Sequence, residues 1–262
     1  MAAGEPQNFS HLTADERFFV AKNRLTMTSA LVIETIRLNE QTRAFFESDF
    51  GRSITKAAHS PSSTLVSTVL YYEVVQLCRL WDKFDAGSFS LPTIAALLRD
   101  REVFPLVLQN LATHSKPRVE LPVAGILDGE ILAPVDMREQ EDKPVLPPPN
   151  FKARIEELES CLSLIFEIES GKALERIRNH RDKKIAHPIF RTQAERKKAI
   201  DDVKGVDLDE VVNATVAVMT TLESVLTPTY ADYADLRNAS RVEAESFFSL
   251  ANYNPDPNRQ IG

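Results

Sequence analysis

Glycine is scarce, with 8 in 262 residues. Nucleotide-binding α/β folds need glycine in their tight turns, so this composition argues against one. Cysteine is scarcer. Cys78 and Cys161 sit in apolar helical patterns, without the spacing of a zinc or haem site, and are expected to be reduced, buried and inert. No window offers the ~18 consecutive apolar residues of a membrane span. The opening stretch, MAAGEPQNFSHLTADERFF, lacks a basic region followed by an apolar run, so a secretory leader is not expected and a cytoplasmic location is. What remains is ordinary for a globular chain: 43% hydrophobic and 26% charged residues, long enough to bury a core and read here as one domain over 1–262.

The formal charge is −7, which argues against a whole-surface nucleic-acid binder. That average hides a reversal. From Lys172 to Lys198 ten bases stand against three acids, a local +7, leaving −14 for the rest of the chain. A basic island on an acidic body suits an anion site with little indiscriminate binding.

The patterning is helical. Thr13-Ala-Asp-Glu16 reads as a capping box before RFFVAKNRLTMTSALVIETIRL, a run without Gly or Pro that extends to about Ser48, with Gly51 marking a break. Pro61 opens STLVSTVLYYEVVQLCRLWDKF, where Leu70, Val74, Leu77, Trp81 and Phe84 form one stripe and Leu65, Val69 and Tyr72 a second. Ser90 caps LPTIAALLRD, and REVFPLVLQNLATHS predicts a helix bent at Pro105. Residues 115–150 change character through seven prolines and read as an insertion or flap, with GILDGEILAPV able to form a small hairpin around Asp128-Gly129. Helical patterning resumes at FKARIEELESCLSLIFEIES. Asp207-Leu-Asp-Glu210 and Ser240-Arg-Val-Glu243 look like further helix starts, and 227–262 reads as a C-terminal extension. The class is all-α, a bundle of about six to eight helices.

The basic island begins on a helix ending in RNHRDKKIAHP, residues 178–188. At about 100° per residue, Leu174, Ile177, Arg181, Lys184, Ile185 and Pro188 share one face, so two cations interrupt an apolar stripe. An inward guanidinium needs a carboxylate, an interface or a ligand, because an unpaired buried charge is costly. Arg178 and Asp182 stand one turn apart, as an ion pair would. Pro188 pushes His187 out of the α region, to the helix end. There the dipole favours a protonated imidazole by about 0.3–1 kcal/mol when exposed, while the neighbouring cations oppose it. The balance leaves His187 titrating near neutrality, which suits proton transfer. The plainest alternative is a solvated basic helix tail. The same plain reading assigns His11, His59 and His114 to the surface, Trp81 to the core and ERKK, 195–198, to solvent.

Arg181-Asp-Lys-Lys-Ile-Ala-His187 resembles the signature of the HEPN superfamily: an arginine, a polar residue, a short gap and a histidine near the end of a bundle helix. LERIRNHRDKKIAHP, together with LCRLWDKFDAGSFSLPTIAALL upstream, is similar to the AbiU-type abortive-infection branch, and the likeness runs from the first long helix to about residue 226. The resemblance implies a helical bundle that dimerises with two signatures face to face. Many HEPN proteins are metal-independent ribonucleases acting as toxins or antiviral effectors; others have lost catalysis. Carried over, Arg181 and His187 are the catalytic positions and Asp182 the supporting polar one. Arg178, His180, Lys183 and Lys184 are candidates for contacting RNA phosphates. No metal and no cofactor is implied. The partners implied are RNA, a second copy of the chain, and an antitoxin or regulatory protein, without a membrane. The competing reading is a non-catalytic helical module that binds a protein or nucleotide through the same groove.

Overall fold

A computed structural model describes residues 9–52, 61–85, 87–113, 126–127, 130–131, 150–186, 203–227 and 231–250. Its helices are α1 (Ala14–Glu47), α2 (Pro61–Leu80), α3 (Leu91–Leu98), α4 (Phe104–Thr113), α5 (Phe151–Glu169), α6 (Lys172–His180), α7 (Gly205–Leu226) and α8 (Tyr233–Leu250). Single 3-10 turns precede α1 and α4, and α6 runs directly into a π-helical segment, Arg181–Ala186. The fold is an all-α bundle. In the Pro-rich region, β1 (Ile126–Leu127) and β2 (Glu130–Ile131) pair antiparallel with Ile126 opposite Ile131, as the Asp128-Gly129 signal predicts. Residues 115–125, 128–129 and 132–149 of the insertion lie outside the described residues.

The start of α1 follows its sequence signal. The Thr13 hydroxyl accepts from the Glu16 amide at 3.3 Å, and the Glu16 carboxylate accepts from the Thr13 amide at 2.8 Å, a reciprocal cap. At the other end Gly51 lets the chain close onto the Phe45 carbonyl, where a Cβ would collide. Elsewhere the signals misplace the boundaries. Pro105 does not bend a helix; it occupies the first turn of α4, where its missing N–H costs nothing. Ser90 is the N-cap of α3, but its hydroxyl meets Thr93 Oγ1 at 3.0 Å rather than a backbone amide. The helix placed at Asp207 starts at Gly205, with Asp207 in its first turn and its carboxylate reaching back to the Lys204 amide at 2.9 Å. No helix begins at Ser240, which is buried in the middle of α8.

The described residues fall into two compact units. One draws on Met1–Val32, Arg79–Gly171 and Asn213–Tyr233; the other on Ile33–Cys78, Lys172–Val212 and Ala234–Gly262. The first unit is built around Leu25, Trp81, Leu97, Leu98, Leu158, Ile165 and Leu222, all without solvent exposure. The Trp81 indole donates to Thr215 Oγ1 at 2.8 Å, so the one tryptophan is core. Asn110 donates to the Leu226 carbonyl at 3.1 Å and satisfies an orphan acceptor at the end of α7. Cys161 of this unit and Cys78 of the second are buried and form no disulfide, and burial pushes the Cys161 thiol up to about 12.

The second unit packs Ile36, Val74, Leu77, Leu174, Ile177, Val211 and Leu236. Tyr72, expected on an apolar stripe, is exposed and donates to Glu34. Glu40, fully buried on α1, is held by Arg43 of its own helix and by Arg237 and Arg241 of α8. The region expected as an extension is therefore tied into this unit through α8.

Candidate functional site

The signature belongs to the second unit, on α6 and the π segment that follows. Ala173, Leu174 and Ile177 bury the apolar face of α6, while Lys172 and Glu175 are exposed. One basic residue of this helix anchors it. Arg176 donates through Nε to Asp207 Oδ2 at 3.0 Å and through a terminal nitrogen to Asp207 Oδ1. Asp207 is 1% exposed in the first turn of α7, and the Arg176 guanidinium holds its carboxyl below the usual carboxylate range. A bidentate arginine–carboxylate pair fixes orientation as well as distance, so α6 is registered on the start of α7.

At Arg181 the backbone widens from α to π geometry and stays so through Ala186. Hydrogen bonds then close over five residues rather than four, and such segments recur at functional sites. The 100° wheel does not hold beyond His180, and the face assigned to Arg181, Lys184 and Ile185 changes accordingly. Leu174 and Ile177 are fully buried, but Arg181, Lys183, Lys184 and Ile185 are half-buried. Arg181 Nε donates to Asp182 Oδ1 at 2.9 Å. Asp182 thus pairs with its neighbour Arg181 and not with Arg178, one turn back, as the helical spacing suggests.

His180 takes a different place from the basic residues around it. It is 5% exposed, with its ring 5.8 Å from that of Tyr71 on α2. This position is interior. His187 and the ERKK run lie outside the described residues. What the described part of the signature offers is a set of cations within seven residues, Arg178, Arg181, Lys183 and Lys184, at a helix end secured by Arg176. Such a set can hold phosphate oxygens, arginine bidentately and lysine as a point charge.

Sequence reasoning missed three features that frame this site: the Arg176–Asp207 pair, the Tyr71–His180 contact and a buried Glu73 on α2. The first two join residues far apart in the chain, and nothing local in the sequence marks them. Glu73 sits in YYEVVQLC, where a lone acid among apolar residues was the available signal. Among the described residues no cluster of three or more His, Cys, Asp or Glu forms that could hold a metal ion, and no helix is long and apolar enough to cross a membrane.

A family model, HEPN_AbiU2, described as AbiU2, matches residues 22–247. No curated protein and no solved structure matches the chain.

Proposed function

Because the chain belongs to the HEPN_AbiU2 family, we propose that it is a metal-independent ribonuclease acting in phage defence or as a toxin. The observation that carries this reading is the half-buried Arg181, held by Asp182 on a π turn whose helix is locked to α7 by Arg176 and Asp207. A solvated basic tail needs neither the anchor nor the change of helix type.

RNA brings its own nucleophile. The 2′-hydroxyl attacks the adjacent phosphorus, the bond to the 5′-oxygen breaks, and the products are a 2′,3′-cyclic phosphate and a 5′-hydroxyl. His187 takes the 2′-hydroxyl proton, and His187 of a second copy gives one to the leaving oxygen. Arg181 clamps the non-bridging oxygens as their charge develops. Asp182 keeps the guanidinium plane in place, while Arg178, Lys183 and Lys184 hold neighbouring phosphates. One chain supplies a single signature histidine, so the acid–base pair requires a homodimer.

The test is cleavage of total RNA and tRNA in EDTA by the full chain and by Arg181→Ala and His187→Ala. Wild type cleaves, and each variant loses about 100-fold or more. Intact RNA with wild type, together with unslowed growth on expression, would replace this reading with the non-catalytic module.

A further inference from the structure

The second unit contains a buried acid that the nuclease chemistry does not use. Glu73 of α2 has no solvent exposure. Asn39 of α1 donates through Nδ2 to Glu73 Oε1 at 2.8 Å and to Asp209 Oδ1, on α7, at 3.3 Å. One neutral amide thus bridges two carboxyl groups from two other helices. The Thr42 hydroxyl, which donates to the Leu38 carbonyl at 2.8 Å, lies beside Glu73, and its contact, like that of Asn39, lowers the Glu73 carboxyl. Glu73 Oε2 and Asn39 Oδ1 are buried without a hydrogen-bond partner among the described residues.

Among the described residues, the groups that act on Glu73 are Asn39 and Thr42 from α1 and Asp209 from α7, and none is a cation. Burying an ionised carboxylate without a counter-charge is costly, and a second carboxylate across one amide adds to the cost. A metal ion between them would meet the Asn39 N–H donors. A proton meets no such obstacle: it neutralises Glu73 and lets Oε2 donate.

We propose that Glu73 is a proton-linked latch: protonated, it joins α1, α2 and α7 in the second unit; ionised, it loosens that joint. Burial, with a smaller push from Asp209, raises the Glu73 carboxyl to about 7 against the Asn39 and Thr42 contacts that lower it. The folded chain binds this proton more tightly than the unfolded chain does. The stabilisation is therefore complete below the ordinary carboxylate range and is lost as pH rises through about 7. The joint bears on the signature because two of these helices hold α6, with Arg176 on Asp207 of α7 and His180 against Tyr71 of α2. Alkaline pH thereby loosens the supports of the helix that carries Arg181. The latch is a property of folding and stands whether or not the chain cleaves RNA.

Thermal unfolding midpoints of the full chain between about pH 6 and about pH 8.5 test it, wild type against Glu73→Gln, which keeps the protonated shape. The wild-type midpoint falls by roughly 5 °C or more across this range, and the variant's falls by less than half as much and lies above wild type at the alkaline end. Equal slopes in the two proteins overturn the proposal, since the titrating group is then another one. If Glu73→Gln does not fold, infrared spectra of wild type decide: a buried carboxylic-acid carbonyl band present at neutral pH and lost at alkaline pH supports the latch, and its absence at neutral pH overturns it.

Discussion

At the scale of single residues, the arrangement turns on arginines that find acids at different depths. Arg181 meets Asp182 near the surface, where a neighbouring ion pair adds little stability but orients a guanidinium. Arg176 meets Asp207 at a site where the acid is buried and also receives the Lys204 amide. Removing Asp207 takes a bidentate partner from a half-buried guanidinium and the side-chain acceptor from the Lys204 amide at the start of α7. Asp207→Ala is expected to cost about 2–3 kcal/mol in urea unfolding. Its sign with pH is opposite to that of Glu73. Asp207 is held below the usual carboxylate range, so its stabilisation is full above that range and fades as pH falls through the folded value. The difference between wild type and Asp207→Ala should accordingly shrink in acid; a difference constant down to strongly acidic pH would contradict the assignment. Arg181, Asp182 and the lysines after them were legible in the sequence because charge density and a family pattern coincide there. The inward turn of His180 was not, because its partner Tyr71 is more than a hundred positions away. Nor was the environment of Glu73, since Asn39, Thr42 and Asp209 converge on it from two other helices.

At the scale of elements, the informative feature is the switch from α to π at Arg181. A π segment amounts to one extra residue accommodated without breaking the helix, and it rotates everything after it. Deleting Lys183 should restore plain α geometry and turn the following residues by about 100° relative to Arg181. The expected outcome is far-UV circular dichroism like that of wild type with RNA cleavage abolished. A deletion variant that folds and cleaves normally would show that the register is unimportant. Elements without such irregularities were readable. α1 was marked by its capping box and its freedom from Gly and Pro, and the hairpin by Asp128-Gly129. The seam of α1 was only half visible. Its buried positions include Leu25 and Val32 but also Thr28, Thr35, Asn39 and Glu40, and hydropathy does not count polar residues as interior. The helix placed at Ser240 failed for a related reason: a Ser-x-x-Glu spacing also arises inside a helix, and here burial of Ser240 continues the packing face of α8.

At the scale of the whole chain, charge and family match bear on the same part of the sequence. The body is acidic, the island around the signature basic, and the match to the AbiU2 family, residues 22–247, reaches beyond the signature into α8. The helix expected as an addition to the bundle is thus within the family's span, and it is tied to α1 through Glu40. Partition into two compact units was not visible in the composition, because α1, α2 and α7 each contribute residues to both without a glycine- or proline-rich break. The chemical claim for the assembled protein is that the RNA supplies the nucleophile and the signature supplies the acid, base and guanidinium. It is tested most directly by the ends left on a defined RNA oligonucleotide incubated with the chain in EDTA, beside the same oligonucleotide carrying 2′-O-methyl groups. The account predicts 2′,3′-cyclic phosphate and 5′-hydroxyl ends on the first and no cleavage of the second. Cleavage of both, or 5′-phosphate ends on either, would contradict it.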